Sequence, residues 1–353
     1  MLIRFVAALL LMLSLVTQAA FAQTTQTLHY TIARPDPPQG YAYYPVEVIH
    51  TYNPQKRRGS GVFLVHAAGH TAHFFDPLAA ALVTAPNTIR DVYAINLPGH
   101  GASGWPADLG YHDISINDYA LATYQVLNQM KVVENRNVDT IAGHGYGALV
   151  VEYLESQLSN GVPMLPPWGQ HAPSSLAKDF GIAATILMAS SMPKELPWPD
   201  VDAPFGAGKA KDLIAPYVVD DAALGKIVDV DDSAFLTALF AVNGVPVSGA
   251  PAGADLAKIK SIEPFRATGE YLGIAFQGGS LVAAPRTPSV QPDLWSGQNL
   301  KVVSFAFDPF ALPGEQQALA SYLKPGLNAI EIVDAEAAHD MPYSKPAALL
   351  FLF

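Results

Sequence analysis

Residues 139 to 152 read DTIAGHGYGALVVE, an apolar run that ends in three glycines spaced two apart and passes directly into a helix-like pattern. A strand, a tight turn and a helix in that order usually lift a nucleophile out of a sheet. The middle position of the turn, where a serine would attack a carbonyl, is Gly145. Around it the sequence offers other reactive types. Ser190 and Ser191 end the next apolar run and Ser103 follows a Pro-Gly-His-Gly turn, so all three could border a pocket; their ordinary reading is as loop hydroxyls. His66, His70, His73, His100 and His144 crowd the ends of three neighbouring runs, which raises water activation by a bound metal. No carboxylate pair accompanies them, and no metal is expected.

The elements that must position these residues are legible from periodicity. LHYTIA and VEVIHTY are short β-rich runs on either side of PDPPQG. GVFLVH (61–66) is a continuous apolar run suited to a strand buried on both faces, and 71–83 has helical spacing. DVYAINL (91–97), the amphipathic stretch ISINDYALATYQVLNQM, and VDTIAG running into the glycine turn follow in strand, helix, strand order. A helix from Tyr146 to about Leu158, a Pro-rich interruption, and SLAKDFGIAATILMASS continue the alternation, which implies parallel βαβ units with right-handed crossovers.

From 192 to 299 the rhythm breaks. This stretch carries several Pro and Gly, the acidic residues Asp220, Asp221, Asp229, Asp231 and Asp232, and short helical pieces such as DSAFLTALFAV. It reads as an inserted cap or lid. The rhythm resumes with the strand LKVVSFAF, a helix over GEQQALASYL, the strand NAIEIV, the loop DAEAAHDMP and a short terminal helix. The expected organisation is therefore a leader over 1–22, a core in two parts over 23–191 and 300–353, and the 192–299 insertion. The fold class is α/β, a mostly parallel central sheet flanked by helices.

Four separated stretches, VHAAGHT (65–71), NLPGHGAS (96–103), GHGYG (143–147) and the pair FDPFALP (307–313) with AAHDMP (337–342), together resemble the α/β-hydrolase fold. That resemblance implies a carboxylate after a late strand and a histidine in the last loop, which fall on Asp308 and His339. It also implies an oxyanion hole of backbone N–H groups, carried over to Tyr146 and to Ala68 or its neighbour Ala67, with Ala67 standing where the family often has glycine. At Gly145 the chain departs from the family pattern, since without a side chain no acyl-enzyme ester can form there. The elbow residue sits at positive φ, which glycine adopts at almost no cost, so the substitution removes the reactive atom and leaves the architecture intact. Two functions follow. One is an esterase-like hydrolase or related proton-transfer enzyme in which His339, oriented by Asp308, deprotonates a water or a carbon acid. The other is a non-catalytic protein that holds a small apolar or ester-like molecule, with Phe74, Phe75, Trp105 and Tyr146 near the pocket.

Composition sets the outer limits. Of 353 residues half are apolar and 14% charged, enough for a large core and few disordered tails. The net charge of −11, with no basic cluster beyond Lys56, Arg57 and Arg58, argues against nucleic acid or an anionic membrane surface as a partner. There is no cysteine, which excludes disulfides, thiol catalysis and thiolate metal sites. No cofactor is expected. The opening residues combine an early arginine, an apolar stretch from Phe5 to Val16, and Ala20 and Ala22 flanking Phe21, the layout of a secretory signal cut after Ala22. A periplasmic or extracellular protein without a stable membrane anchor is expected.

Overall fold

The computed structural model describes residues 23–36, 40–55, 60–67, 69–85, 90–105, 114–166, 168, 172–191, 193, 196, 218–221, 225–229, 237, 239–242, 245–260, 266–267, 274–277, 280–283, 289–295, 297–308 and 311–353. The leader, the Lys56–Arg58 turn, Ala68, Asp231 and Asp232 lie outside them. Eight strands form one sheet: β1 (Thr24–Asp36), β2 (Gly40–Tyr52), β3 (Ser60–Val65), β4 (Asp91–Ile95), β5 (Asn137–His144), β6 (Ala184–Met188), β7 (Asn299–Phe305) and β8 (Ile330–Ile332). Their spatial order is β1-β2-β4-β3-β5-β6-β7-β8. β1, β2 and β4 pair antiparallel, and every pairing from β4 to β8 is parallel. The chain direction of the strand order reverses between β3 and β5, and in open sheets such a switch opens a crevice at the carboxyl ends of the strands.

The residues of β3 show why the sheet is buried on both sides. Val62 and Leu64 join a cluster with Phe74, Leu78 and Leu82, while Phe63 and Val65 join the opposite cluster with Ile141, Leu149 and Val126. The first face is covered by the helix α1 (Asp76–Thr84) and the C-terminal turns, the second by α2 (Ile116–Val132), α3 (Tyr146–Ser159) and α4 (Pro313–Leu323). α2 starts where Asp118 reaches back to accept from the Ser115 N–H at 2.8 Å, which satisfies a donor left over at the helix start. Among the described residues no helix is long and apolar enough to cross a membrane.

Two expectations are revised. The first two strands are not short: they pair along thirteen residues, from Thr24↔Tyr52 to Asp36↔Gly40, and take in much of the Pro/Gly-rich stretch. β2 meets β4 only from Val48 to Thr51, so the far half of this hairpin runs past β4. Within DSAFLTALFAV, Ala241–Val242 is a strand paired with Val245–Pro246. Before it, the described residues Thr237 and Leu239 are helical, as the spacing suggests, and in the sequence the Asn-Gly dipeptide that follows is a hairpin signal. Parts of the 192–299 stretch also pack into the core: Phe240, Val247 and Ile259 lie with α1, whereas Val290 and Trp295 lie on the opposite face, Trp295 donating to Thr185 Oγ1 at 3.2 Å.

Candidate functional site

The glycine turn between β5 and α3 is built by three different constraints. A Cβ on Gly143 would stand 2.4 Å from the Cα of Ala148, and one on Gly147 would stand 2.3 Å from the carbonyl oxygen of Val65. The outer glycines therefore let β3, β5 and α3 approach backbone to backbone. Gly145 has φ of 55° and ψ of −123°, the positive-φ conformation that an L side chain resists. Its N–H donates to Met188 O at 2.9 Å and its carbonyl accepts from Ser191 N at 3.3 Å, which ties the turn to the end of β6.

Asp308 follows β7 and His339 lies in the loop after β8, and the fold brings them together: His339 Nδ1 donates to Asp308 Oδ2 at 2.8 Å. Asp308 is further fixed by accepting from Ala311 N through Oδ1. A Cβ built on Gly145 would lie 3.4 Å from His339 Nε2, so the base faces the position a nucleophile would leave. The same point is 2.9 Å from the Ala67 methyl, closer than real Cβ atoms come to one another. Ala67 thus closes much of the space that a serine side chain would need. Tyr146 opens α3, so its N–H belongs to the positive end of a 14-residue helix dipole.

Burial pulls the His339 pKa down, but the facing Asp308 carboxylate more than offsets this, and the net shift is upward from 6.5. Since only the neutral ring accepts a proton, base-dependent turnover should rise with pH through an inflection above 6.5. Asp308→Asn removes the carboxylate and should move that inflection to lower pH, with a fall in maximal rate of about 10²-fold or more. The pH profile of kcat/KM for both forms checks this.

His66, His100 and His144 are held as neutral rings in the loops. His66 donates from Nδ1 to Ala67 O at 2.8 Å and accepts Leu97 N at Nε2, and burial holds its pKa well below the usual value. Burial likewise lowers His100 to about 4 and His144 to about 3. His144 donates from Nε2 to His339 O at 3.0 Å, holding the backbone of the base. Phe74 and Phe75 are core residues, Phe74 stacking on His144, whereas Tyr146 is a buried member of the opposite cluster and Trp105 packs against it.

A single buried carboxylate, not a pair, lies among these histidines. Asp340 is fully buried, accepts from His70 Nε2 at 2.9 Å and lies 3.8 Å from His144 Nε2. Burial raises its pKa, but the surrounding histidines, His70 foremost, bring it below the usual carboxylate range. The signal was its place directly after His339, which hides that its partners come from other loops. His144, His339 and Asp340 offer ligand atoms within 4.8 Å of one another. His144 Nε2 and His339 Nδ1 are already engaged, and a metal using them would have to displace those bonds.

The hydroxyls of Ser103 and Ser190 are held in hydrogen bonds, while Ser191 is tied through its backbone. Ser103 Oγ donates to Asn96 O at 2.6 Å and accepts Glu47 N. Ser191 is partly buried beside the elbow. Ser190 Oγ lies 3.1 Å from Ser191 O and 2.5 Å from Glu152 Oε1, while the Gln316 amide clamps the Ser190 backbone from both sides. A hydroxyl has one hydrogen. If it goes to Ser191 O, the short contact to Glu152 needs the carboxyl's own proton, and burial does push the Glu152 pKa up to about 8. The folded chain then keeps a proton that the unfolded chain sheds above 4.5, so stability declines as pH rises toward 8. Glu152→Gln should remove up to about 1.4 kcal/mol per pH unit of that decline. Urea unfolding of both forms at several pH values between 5 and 9 checks it.

The sequence profile of the alpha/beta hydrolase family matches residues 62–350. Among curated proteins the chain finds no match. Among solved structures, an esterase from Exiguobacterium antarcticum superposes with a TM-score of 0.54 at 14% identity, over 92% of this chain and 97% of that one. The proline iminopeptidase of Mycobacterium smegmatis gives 0.51 at 14% identity, over 92% and 96%. A thermophilic esterase from Thermogutta terrifontis gives 0.50 at 14% identity, also over 92% and 96%. At such identities these likenesses speak for the fold. With the family profile spanning most of the sequence and eight strands carrying an elbow at the end of β5, the chain belongs to the alpha/beta hydrolase family.

Proposed function

We propose that this is an exported hydrolase-type enzyme in which His339, held by Asp308, acts as a general base on a small apolar or ester-like carbonyl compound, with no covalent acyl step. The observation that carries this reading is the 2.8 Å Nδ1 contact to Asp308 together with the 3.4 Å approach of Nε2 to the position of a side chain at Gly145. A carboxylate behind an imidazole fixes the tautomer and stabilises the imidazolium that forms when the ring accepts a proton. The oxyanion donors of this reading are the N–H groups of Tyr146 and of Ala67 or Ala68, and they need no particular side chain. Export rests on the Phe5–Val16 apolar stretch followed by Ala20 and Ala22. The test is turnover of short acyl esters by the purified native chain and by His339→Ala. Equal rates in the two would remove the pair from the chemistry.

One observation favours the second reading, a non-catalytic binding protein. The Ala67 methyl reaches into the place of a nucleophile, as a site released from acyl transfer would allow. On that reading short esters raise the melting temperature without being consumed.

A further inference from the structure

We infer that Asp340 is a positioning residue of this site: through His70 it fixes where the base and the Ala67 methyl stand relative to Gly145. The inference rests on the reading of His339 as a base and adds the carboxylate that places it.

The peptide that joins His339 to Asp340 is tied to separate parts of the chain. Its carbonyl, His339 O, accepts from His144 Nε2 at 3.0 Å, at the end of β5. Its N–H, from Asp340, donates to Leu239 O at 3.3 Å, in the inserted stretch. The Asp340 carboxylate is the third tie, accepting from His70 Nε2 at 2.9 Å with both side chains fully buried. Directly after it the chain enters the short helix Met341–Ser344, where Asp340 O accepts from Tyr343 N at 3.1 Å. A base held in this way cannot move without breaking a buried hydrogen bond, which is the support that a precise site requires.

The tie to His70 bears most on the elbow, because it reaches the loop that faces the base. His70 N donates to Ala67 O at 3.3 Å, so His70 and Ala67 share one turn after β3. A Cβ built on Gly145 would stand 2.9 Å from the Ala67 methyl and 3.4 Å from His339 Nε2. Those two groups belong to loops after β3 and β8, and the contact between His70 and Asp340 joins the loops across 270 positions of sequence. His70 is itself kept in place, edge-on to Phe74 at 4.6 Å, and Phe74 stacks on His144 at 4.9 Å. Asp308 orients the imidazole through Nδ1, whereas Asp340 sets where the loop carrying that imidazole stands. A buried ion pair gains little stability over an apolar filling of the same volume, so what this one supplies is a contact of fixed length and direction. A misplacement of about 1 Å at such a group can cost about 10²-fold in rate.

The test compares the native chain with Asp340→Leu and Asp340→Asn, using two readouts and a thermal melt of each form. The first is the low-field proton NMR signal of the His339 Nδ1–H donated to Asp308, assigned by its loss in His339→Gln. The second is kcat and KM for 4-nitrophenyl acetate. Asp340→Leu should shift or broaden the signal and lower kcat about 10-fold or more, with KM changed less than about 2-fold. Asp340→Asn keeps an acceptor for the His70 N–H and should restore the native signal and most of kcat. His70→Leu opens the same contact from the other side and should match Asp340→Leu, which keeps the test readable if that variant does not fold. A lowered melting temperature with native signal and native kcat would overturn the inference, leaving Asp340 a structural residue and His339 still a base. Asp340→Asn as impaired as Asp340→Leu would overturn it as well. A native chain without His339-dependent turnover removes the base reading, and the proton signal then decides alone whether Asp340 places the ring.

Discussion

Placing a serine at position 145 alone is expected to destabilise the chain and yield little esterase activity, whereas Ala67→Gly/Gly145→Ser is expected to hydrolyse short acyl esters about 10²-fold or more faster than the native chain. The single variant meets two obstacles. At φ of 55° and ψ of −123° a serine backbone carries strain of about 1–3 kcal/mol. Its Cβ would also meet the Ala67 methyl at 2.9 Å, a contact that cannot persist without movement of the loop after β3. Removing that methyl clears the second obstacle. The remaining geometry favours chemistry, because a Cβ 3.4 Å from His339 Nε2 brings a serine Oγ within hydrogen-bond reach of a ring already held by Asp308. Steady-state kinetics on a panel of acyl esters, with thermal melts of the native chain and both variants, checks the pair. Equal activity in the single and double variants would show that Ala67 does not control access to the elbow.

Replacing His339 by alanine is expected to lower turnover of any substrate by about 10²- to 10⁴-fold, the range that one positioned base contributes. The loss should exceed that of Asp308→Asn, because Asp308 acts through the ring and His339 carries the proton. The backbone role of position 339 survives the substitution, since it is the carbonyl oxygen that accepts from His144. A melting temperature close to the native value together with lost turnover is therefore the expected combination. Retained turnover would place the chemistry elsewhere in the molecule.

How far the sequence anticipates this arrangement depends on the kind of signal. The cores of β3 and β4 are apolar runs buried on both faces, and such runs are local features that periodicity detects. The positive φ at Gly145 was expected from the resemblance to the α/β-hydrolase elbow, and the structure has it at 55°. Asp308 and His339 were found through resemblance alone; their 2.8 Å contact joins residues from two loops and leaves no period in the chain. The contact between Ala67 and Gly145 was missed for the same reason. Ala67 read as a slightly tighter turn, while in three dimensions its methyl occupies the room a serine would take. Asp340 was missed because its partners His70 and His144 come from the loop after β3 and the end of β5. The packing of Phe240, Ile259 and Trp295 into the core lay hidden in a stretch whose Pro and Gly content suggested only a lid.

The central claim is that His339 acts as a base with no covalent intermediate. It is tested most directly by quenching the native chain during turnover of an acyl ester and weighing the intact protein by mass spectrometry. The expected result is substrate consumption without an initial burst and a protein mass unchanged throughout. An acyl adduct that builds up and decays with turnover, on Ser103, Ser190, Ser191 or any other side chain, would contradict it.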